Sequence, residues 1–332
     1  MKQRLDYIDI AKGLGIILVV LSHTVYPEPM FPTLAFYVPV FFFCSGYTSS
    51  DISVSLKDNF ARHAIKLLKP YLFFNLLLIL YFRDFSLRAI FGVIYSRYCL
   101  YPFGTEPDIY NLFIVGNYPM WFLTCMVVTY LLYYLIVYHS RYQYYIISLY
   151  LIITAMMETL PILLPWSIDT AFLMAIVMYA GTVFRRNFPD CFSKRIPAPI
   201  VLPFIVVYLL LLPICNDINL SVRLYGSSVI TYLLAALTGS VLLVAFSRLL
   251  QDSFIGRSLQ HIGHHSLTIF CIEMLFLLWA KQLAGYIPSE SLSEQSTLIV
   301  TAIIQTIIGV TGGYLFSLLL HRNKWIEKAI FH

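Results

Sequence analysis

Lys12 and His23 lie eleven residues apart in an almost wholly apolar run, Lys12-Gly-Leu-Gly-Ile-Ile-Leu-Val-Val-Leu-Ser-His23. At 100° per residue that separation is about 1100°, roughly 20° past three full turns, so both side chains share one helix face. At 1.5 Å rise they stand roughly 16 Å apart along the axis, about the length of a pantetheine arm. A cation and an imidazole aligned inside a membrane-length helix are costly unless they line a cavity. An imidazole with a pKa of about 6.5 suits two tasks: taking a proton from a hydroxyl as general base, or relaying protons in a transporter. Lys12 suits anionic phosphates, with Asp9 one turn earlier to orient it. The plainer reading is that the Asp9–Lys12 pair neutralises charge at a membrane edge while the lysine stem snorkels.

Other candidate groups carry less. Ser45-Gly46, in the apolar run Phe36–Tyr47, allows close helix packing and leaves a hydroxyl facing a neighbour. No G-x-S-x-G surrounds it, so it is not a nucleophile candidate. His261, His264 and His265 follow i, i+3, i+4 spacing, which could hold a metal but reads more simply as the polar start of a helix or as phosphate contacts. No metal is expected. The six cysteines (Cys44, Cys99, Cys125, Cys191, Cys215 and Cys271) are scattered without C-x-x-C and read as buried thiols. No nucleic-acid module is present.

These residues need elements to position them, and composition says which kind. Of 332 residues 59% are hydrophobic and 12% charged, against about 25% charged in an ordinary soluble domain. The chain reads as one all-α, multi-pass membrane domain, 1–332, with ten spans at about 8–26, 32–50, 68–83, 119–139, 143–160, 168–184, 199–215, 226–247, 264–283 and 297–321. An even count puts both termini on one side. If that side is cytoplasmic, it holds all of the 22 Lys and Arg residues except Arg83, Arg88, Arg97, Arg223 and Lys281, as the positive-inside rule requires. The first run lacks a small-residue cleavage site and is not a removable signal peptide. The long external connection 84–118, rich in aromatic, Pro and Gly residues, is a candidate lid or acceptor-binding element; its plainer reading is an interfacial aromatic belt. Gly309 and Gly313 on the tenth span could pack within the bundle or against a second copy.

Five ordered motifs then acquire meaning together. They are Asp9-x-x-Lys12-Gly13-x(9)-His23; Val38-Pro39-x-Phe41-Phe42-x-x-Ser45-Gly46-Tyr47; Arg62-x-x-x-Lys66-Leu67-Leu68-x-Pro70-Tyr71; Trp121-Phe122-Leu123; and Gly263-x-x-Ser266-Leu267-x-Ile269-Phe270. Along its whole length the sequence resembles the acyltransferase-3 family of integral membrane acyltransferases. It is most similar to the fucose 4-O-acetylase-like branch, which modifies bacterial surface polysaccharides. Two positions depart from the pattern. The family's arginine is Lys12, which keeps the charge but loses the bidentate fork, and a histidine often closing the last motif is Glu273.

The resemblance implies an O-acyltransferase of the bacterial inner (plasma) membrane. Its donor is acyl-CoA, acetyl-CoA in the first instance, entering from the cytoplasm, and its acceptor is a cell-surface or lipid-linked saccharide. CoA phosphates are then expected near Asp9 and Lys12, with help from Arg62, Lys66, Arg185 or Arg186. His23 is the expected base and Glu273 a second catalytic candidate, while Ser45, Tyr47 and Trp121 are expected in substrate binding. Membrane lipid surrounds the domain, and self-association is open. The competing class is a proton-coupled transporter of a saccharide or small organic acid, using His23 and Glu273.

Overall fold

A computed structural model describes residues 5–24, 34–49, 55–102, 118–188, 198–284 and 294–331. The helices are α1 (Asp6–Ser22), α2 (Pro39–Thr48), α3 (Leu56–Phe82), α4 (Leu87–Tyr95), α5 (Trp121–Tyr138), α6 (Gln143–Glu158), α7 (Ile168–Asn187), α8 (Ala198–Leu211), α9 (Val229–Leu250), α10 (Phe254–His264), α11 (Ser266–Ala284), α12 (Glu294–Arg322) and α13 (Lys324–Phe331). Two-residue strands β1 (Ile218–Asn219) and β2 (Leu224–Tyr225) pair antiparallel between α8 and α9. Among the described residues, six helices (α3, α5, α7, α9, α11 and α12) are long and apolar enough to cross a bilayer. Four expected spans are shorter: α1 has 17 residues, α2 10, α6 16 and α8 14.

α1 is the central element and touches α2, α9, α10, α11 and α12. α2 packs on α7, α5 on α3 and α7, and α11 on α12. Large apolar side chains on α3, α6, α8 and α12, such as Leu72, Ile152, Leu209 and Leu319, face outward, as a lipid-facing surface requires.

Three expected boundaries shift for local reasons. The third helix starts at Leu56, far earlier than 68, because the Ser55 hydroxyl caps it by accepting from Asp58 N–H at 3.2 Å. The expected ninth span begins too early. His261 and His264 end α10, an amphipathic helix capped by Ser253, and His265 sits at the break before α11. His265 Nδ1 bonds Ser317 Oγ at 2.8 Å, and no three His, Cys, Asp or Glu side chains converge on a metal position among the described residues. α4 is a further amphipathic helix inside the expected loop 84–118, with Leu87, Phe91 and Ile94 exposed.

The motif glycines turn out to set helix crossings. Gly13 on α1 lies against the Leu259 carbonyl and Gly263, and a Cβ on Gly263 would overlap the Asp9 carbonyl oxygen. Two separate motifs thus meet backbone to backbone. Gly46 and Gly181 form the matching contact between α2 and α7. Gly309 lies against Val20 and Leu277, and Gly313 against Ile269, so this pair packs inside the bundle. Gly263→Ala is expected to lower stability by about 1–3 kcal/mol, because neither backbone can retreat without moving α1. A thermal unfolding curve in detergent checks it; an unchanged midpoint would mean the crossing is soft.

Candidate functional site

One face of α1 supplies Lys12, Val19, Ser22 and His23 to a single cavity of about 410 Å³. The seven- and eleven-residue spacings bring Val19 and His23 back over Lys12 on a 3.6-residue helix. Both polar groups therefore share one space. Phe41 and Ser45 of α2, Leu67 of α3, Trp121, Phe122 and Met126 of α5, Tyr232 of α9 and Phe270 of α11 form a further part of its wall. The cavity is thus largely apolar with a few polar groups, within the usual size range of small-ligand pockets.

His23 does not lie inside a continuing helix, as expected, but ends one. It is the C-cap residue of α1, and its N–H donates to the Val20 carbonyl at 3.1 Å, a tightened last turn. His23 Nδ1 lies 2.6 Å from Glu273 Oε1, across 250 positions of sequence. The Glu273 side chain is wholly buried and that of His23 is 17% exposed. Glu273 Oε2 has no hydrogen-bond partner among the described residues. A carboxylate accepting from Nδ1–H fixes the tautomer that leaves the lone pair on Nε2, the form a general base needs.

The remaining sequence candidates divide. Ser45 and Trp121 line the cavity, the Ser45 hydroxyl donating to the Phe41 carbonyl at 2.8 Å. Tyr47 does not line it: it is buried behind the wall, its hydroxyl 3.0 Å from that of Tyr7. Asp9 is buried beneath the α1–α10 crossing, also outside the lining. None of the four expected helpers of Lys12 reaches the lining either. Arg62 stays exposed and donates to Asn59 Oδ1 at 3.1 Å, Lys66 and Arg186 are exposed, and Arg185 stacks over the Tyr47 ring at 5.2 Å. The reason is geometric. Arg185 and Arg186 end α7, Arg62 and Lys66 lie in the N-terminal half of α3, and their side chains follow solvent or an aromatic face rather than the interior.

The structure adds residues the sequence reading missed. Asp217, Ile218, Asn219, Leu220 and Ser221 form one consecutive stretch of cavity wall, joined by Tyr37 and Tyr232. A polar run between two spans was the only signal for the stretch, and Tyr232 gave none. Of the expected acceptor loop 84–118, residues 84–102 contribute nothing to the lining, and 103–117 lie outside the described residues.

A buried ionic lock holds the new stretch. Asp169 on α7 pairs with Arg97 through Oδ1 and with Arg223 through Oδ2, the latter at 3.1 Å. Its carboxylate also accepts from the N–H groups of Leu164 (3.2 Å) and Thr170 (2.9 Å). Arg97 reaches on to the carbonyls of Leu164 and Ser221, and Arg223 to those of Leu160 and Ile162. All three side chains are buried. Three segments distant in sequence are thereby tied at one end of the bundle.

Long apolar helices around an internal cavity, with a His–Glu pair beside it, are those of an integral membrane protein. The chain belongs to the acyltransferase-3 family, whose acyltransferase domain matches residues 5–322. It is therefore a membrane acyltransferase. Comparison with curated proteins and with solved structures gave no match.

Proposed function

We propose that this protein moves an acetyl group from acetyl-CoA to a hydroxyl of a cell-surface or lipid-linked saccharide, as a fucose 4-O-acetylase-like member of the family. In this reading it sits in a bacterial inner membrane, with ten spans and both termini cytoplasmic. The observation that carries the reading is that Lys12 and the His23–Glu273 pair line or adjoin one cavity along the same helix. A cation at one end and an imidazole roughly 16 Å away match a phosphate-bearing donor whose thioester lies at the end of a long arm. The apolar wall between them suits the arm, and the nucleotide remains outside.

His23 Nε2 takes the proton of the acceptor hydroxyl as its oxygen attacks the thioester carbonyl carbon. The C–S bond breaks, the CoA thiolate leaves, and the proton on His23 passes to it, giving an O-acetyl ester and free CoA. Glu273 acts through His23, orienting the ring and stabilising its protonated form. A two-step route through an acyl-histidine uses the same groups.

Equilibrium binding of radiolabelled acetyl-CoA to purified protein tests the donor assignment. Saturable binding is expected, weakened roughly 10–100-fold by Lys12→Ala, the range of a charge-assisted contact. Folded protein that binds no acetyl-CoA at millimolar donor would overturn the reading in favour of proton-coupled transport.

A further inference from the structure

We propose that Asp217–Ser221, together with the hydroxyl of Tyr232, is the element that recognises the acceptor, and that the ligand it fits is a polyhydroxylated ring. The assignment rests on the acyl-transfer reading above and locates the half of the site that reading leaves open. Direction along the bundle comes first. The Asp9–Gly13 end of α1 crosses α10, and α10 follows the C-terminal end of α9, so α1 and α9 run antiparallel. Tyr232, one turn into α9, therefore belongs to the His23 end of the cavity and not to the Lys12 end. The donor cation and this element occupy opposite ends, with the imidazole beside the second.

The chemistry of the element is that of a hydroxyl-rich ligand. Tyr232 is fully buried, lines the cavity, and its hydroxyl has no hydrogen-bond partner among the described residues. Burying an unsatisfied hydroxyl is unfavourable, and a ligand group reaching it from the cavity would satisfy it. Asp217 brings a carboxylate to the same wall from a left-handed backbone position, φ 54°. Asn219 is already committed, its Oδ1 accepting from the Ser221 backbone and hydroxyl, which sets the turn. Tyr37 and Trp121 add flat aromatic surface. Aromatic faces for C–H patches, with a carboxylate and a phenol for hydroxyls, suit a pyranose better than a flat or purely anionic ligand. The Arg97–Asp169–Arg223 lock grips this element directly, through the Ser221 carbonyl and through Arg223 between its strands. A recognition element must be held this rigidly to orient one hydroxyl among several.

The test measures binding of methyl pyranosides (gluco, galacto, manno, fuco and rhamno forms) to the full-length protein by saturation-transfer NMR, beside acetyl-CoA binding on the same samples. At least one glycoside is expected to bind, with affinity falling on the order of tenfold in Tyr232→Phe and in Asp217→Asn. Acetyl-CoA affinity should stay unchanged in both. Tyr232→Phe should melt no lower than wild type, since it removes a hydroxyl without a partner among the described residues; a purely structural tyrosine would give a lower midpoint with intact glycoside binding. Glycoside binding that survives both substitutions, or that is absent from a wild type that binds acetyl-CoA, overturns the proposal. Glycoside binding lost in the variants of a protein that never binds acetyl-CoA upholds this element and sinks the transfer reading instead.

Discussion

On the proposed reading, His23→Ala is expected to lower acyl transfer by roughly 10²–10⁴-fold, the range of a lost general base, with donor binding retained. A sugar hydroxyl is a weak nucleophile near neutral pH, and no other imidazole lines the cavity among the described residues. The variant also carries a structural consequence. Among the described residues Glu273 Oε2 already lacks a partner, and removing the imidazole strips Oε1 as well. A fully orphaned buried carboxyl costs about 1–3 kcal/mol, so a lower melting point should accompany the lost activity. Glu273→Gln separates the two effects. An amide can donate to Nδ1, which pushes the proton to Nε2 and removes the lone pair the acceptor needs. Turnover should fall nearly as far as in His23→Ala, with little change in melting point. A Glu273→Gln protein with wild-type turnover would show that the pair does not set the tautomer.

Asp169→Ala is expected to lose about 3–5 kcal/mol, the largest stability effect of any single substitution considered for this protein. Two guanidinium groups share this one carboxylate, so its removal takes from two buried cations the carboxylate that both contact directly. Arg223→Met should cost less, because the Arg97–Asp169 pair survives it. Unfolding is readable with a thiol-reactive fluorophore, since Cys44, Cys99, Cys125, Cys215 and Cys271 are all buried and reduced. Equal melting curves for wild type and Asp169→Ala would remove the lock from any account of stability. Partial loss should also weaken acceptor use before donor binding, because the lock holds Ser221 and lies far in sequence from Lys12.

Periodicity made the α1 face legible from sequence. An eleven-residue spacing on a 3.6-residue helix dictates that Lys12 and His23 align, and the structure opens one cavity to both. Apolar composition dictated long lipid-facing helices for the same local reason. Motif residues were legible as a set but not by role. Ser45 and Trp121 reach the cavity, whereas Asp9, Tyr47, Gly13, Gly46 and Gly263 pack helices together. A motif records that a position is constrained, and close backbone approach constrains a glycine as firmly as chemistry constrains a histidine.

What tertiary structure alone decided is every contact between residues far apart in the chain. Glu273 could be suspected as a carboxylate in an apolar helix, but its bond to His23 depends on how α11 lies against α1. Asp169, Arg97 and Arg223 carry no mutual spacing signal, since ion pairing follows distance in space. The stretch Asp217–Ser221 reads as an ordinary connection until that lock folds it over the cavity. Local geometry is written in the spacing of residues along one helix; a site shared among six helices exists only once their packing is chosen.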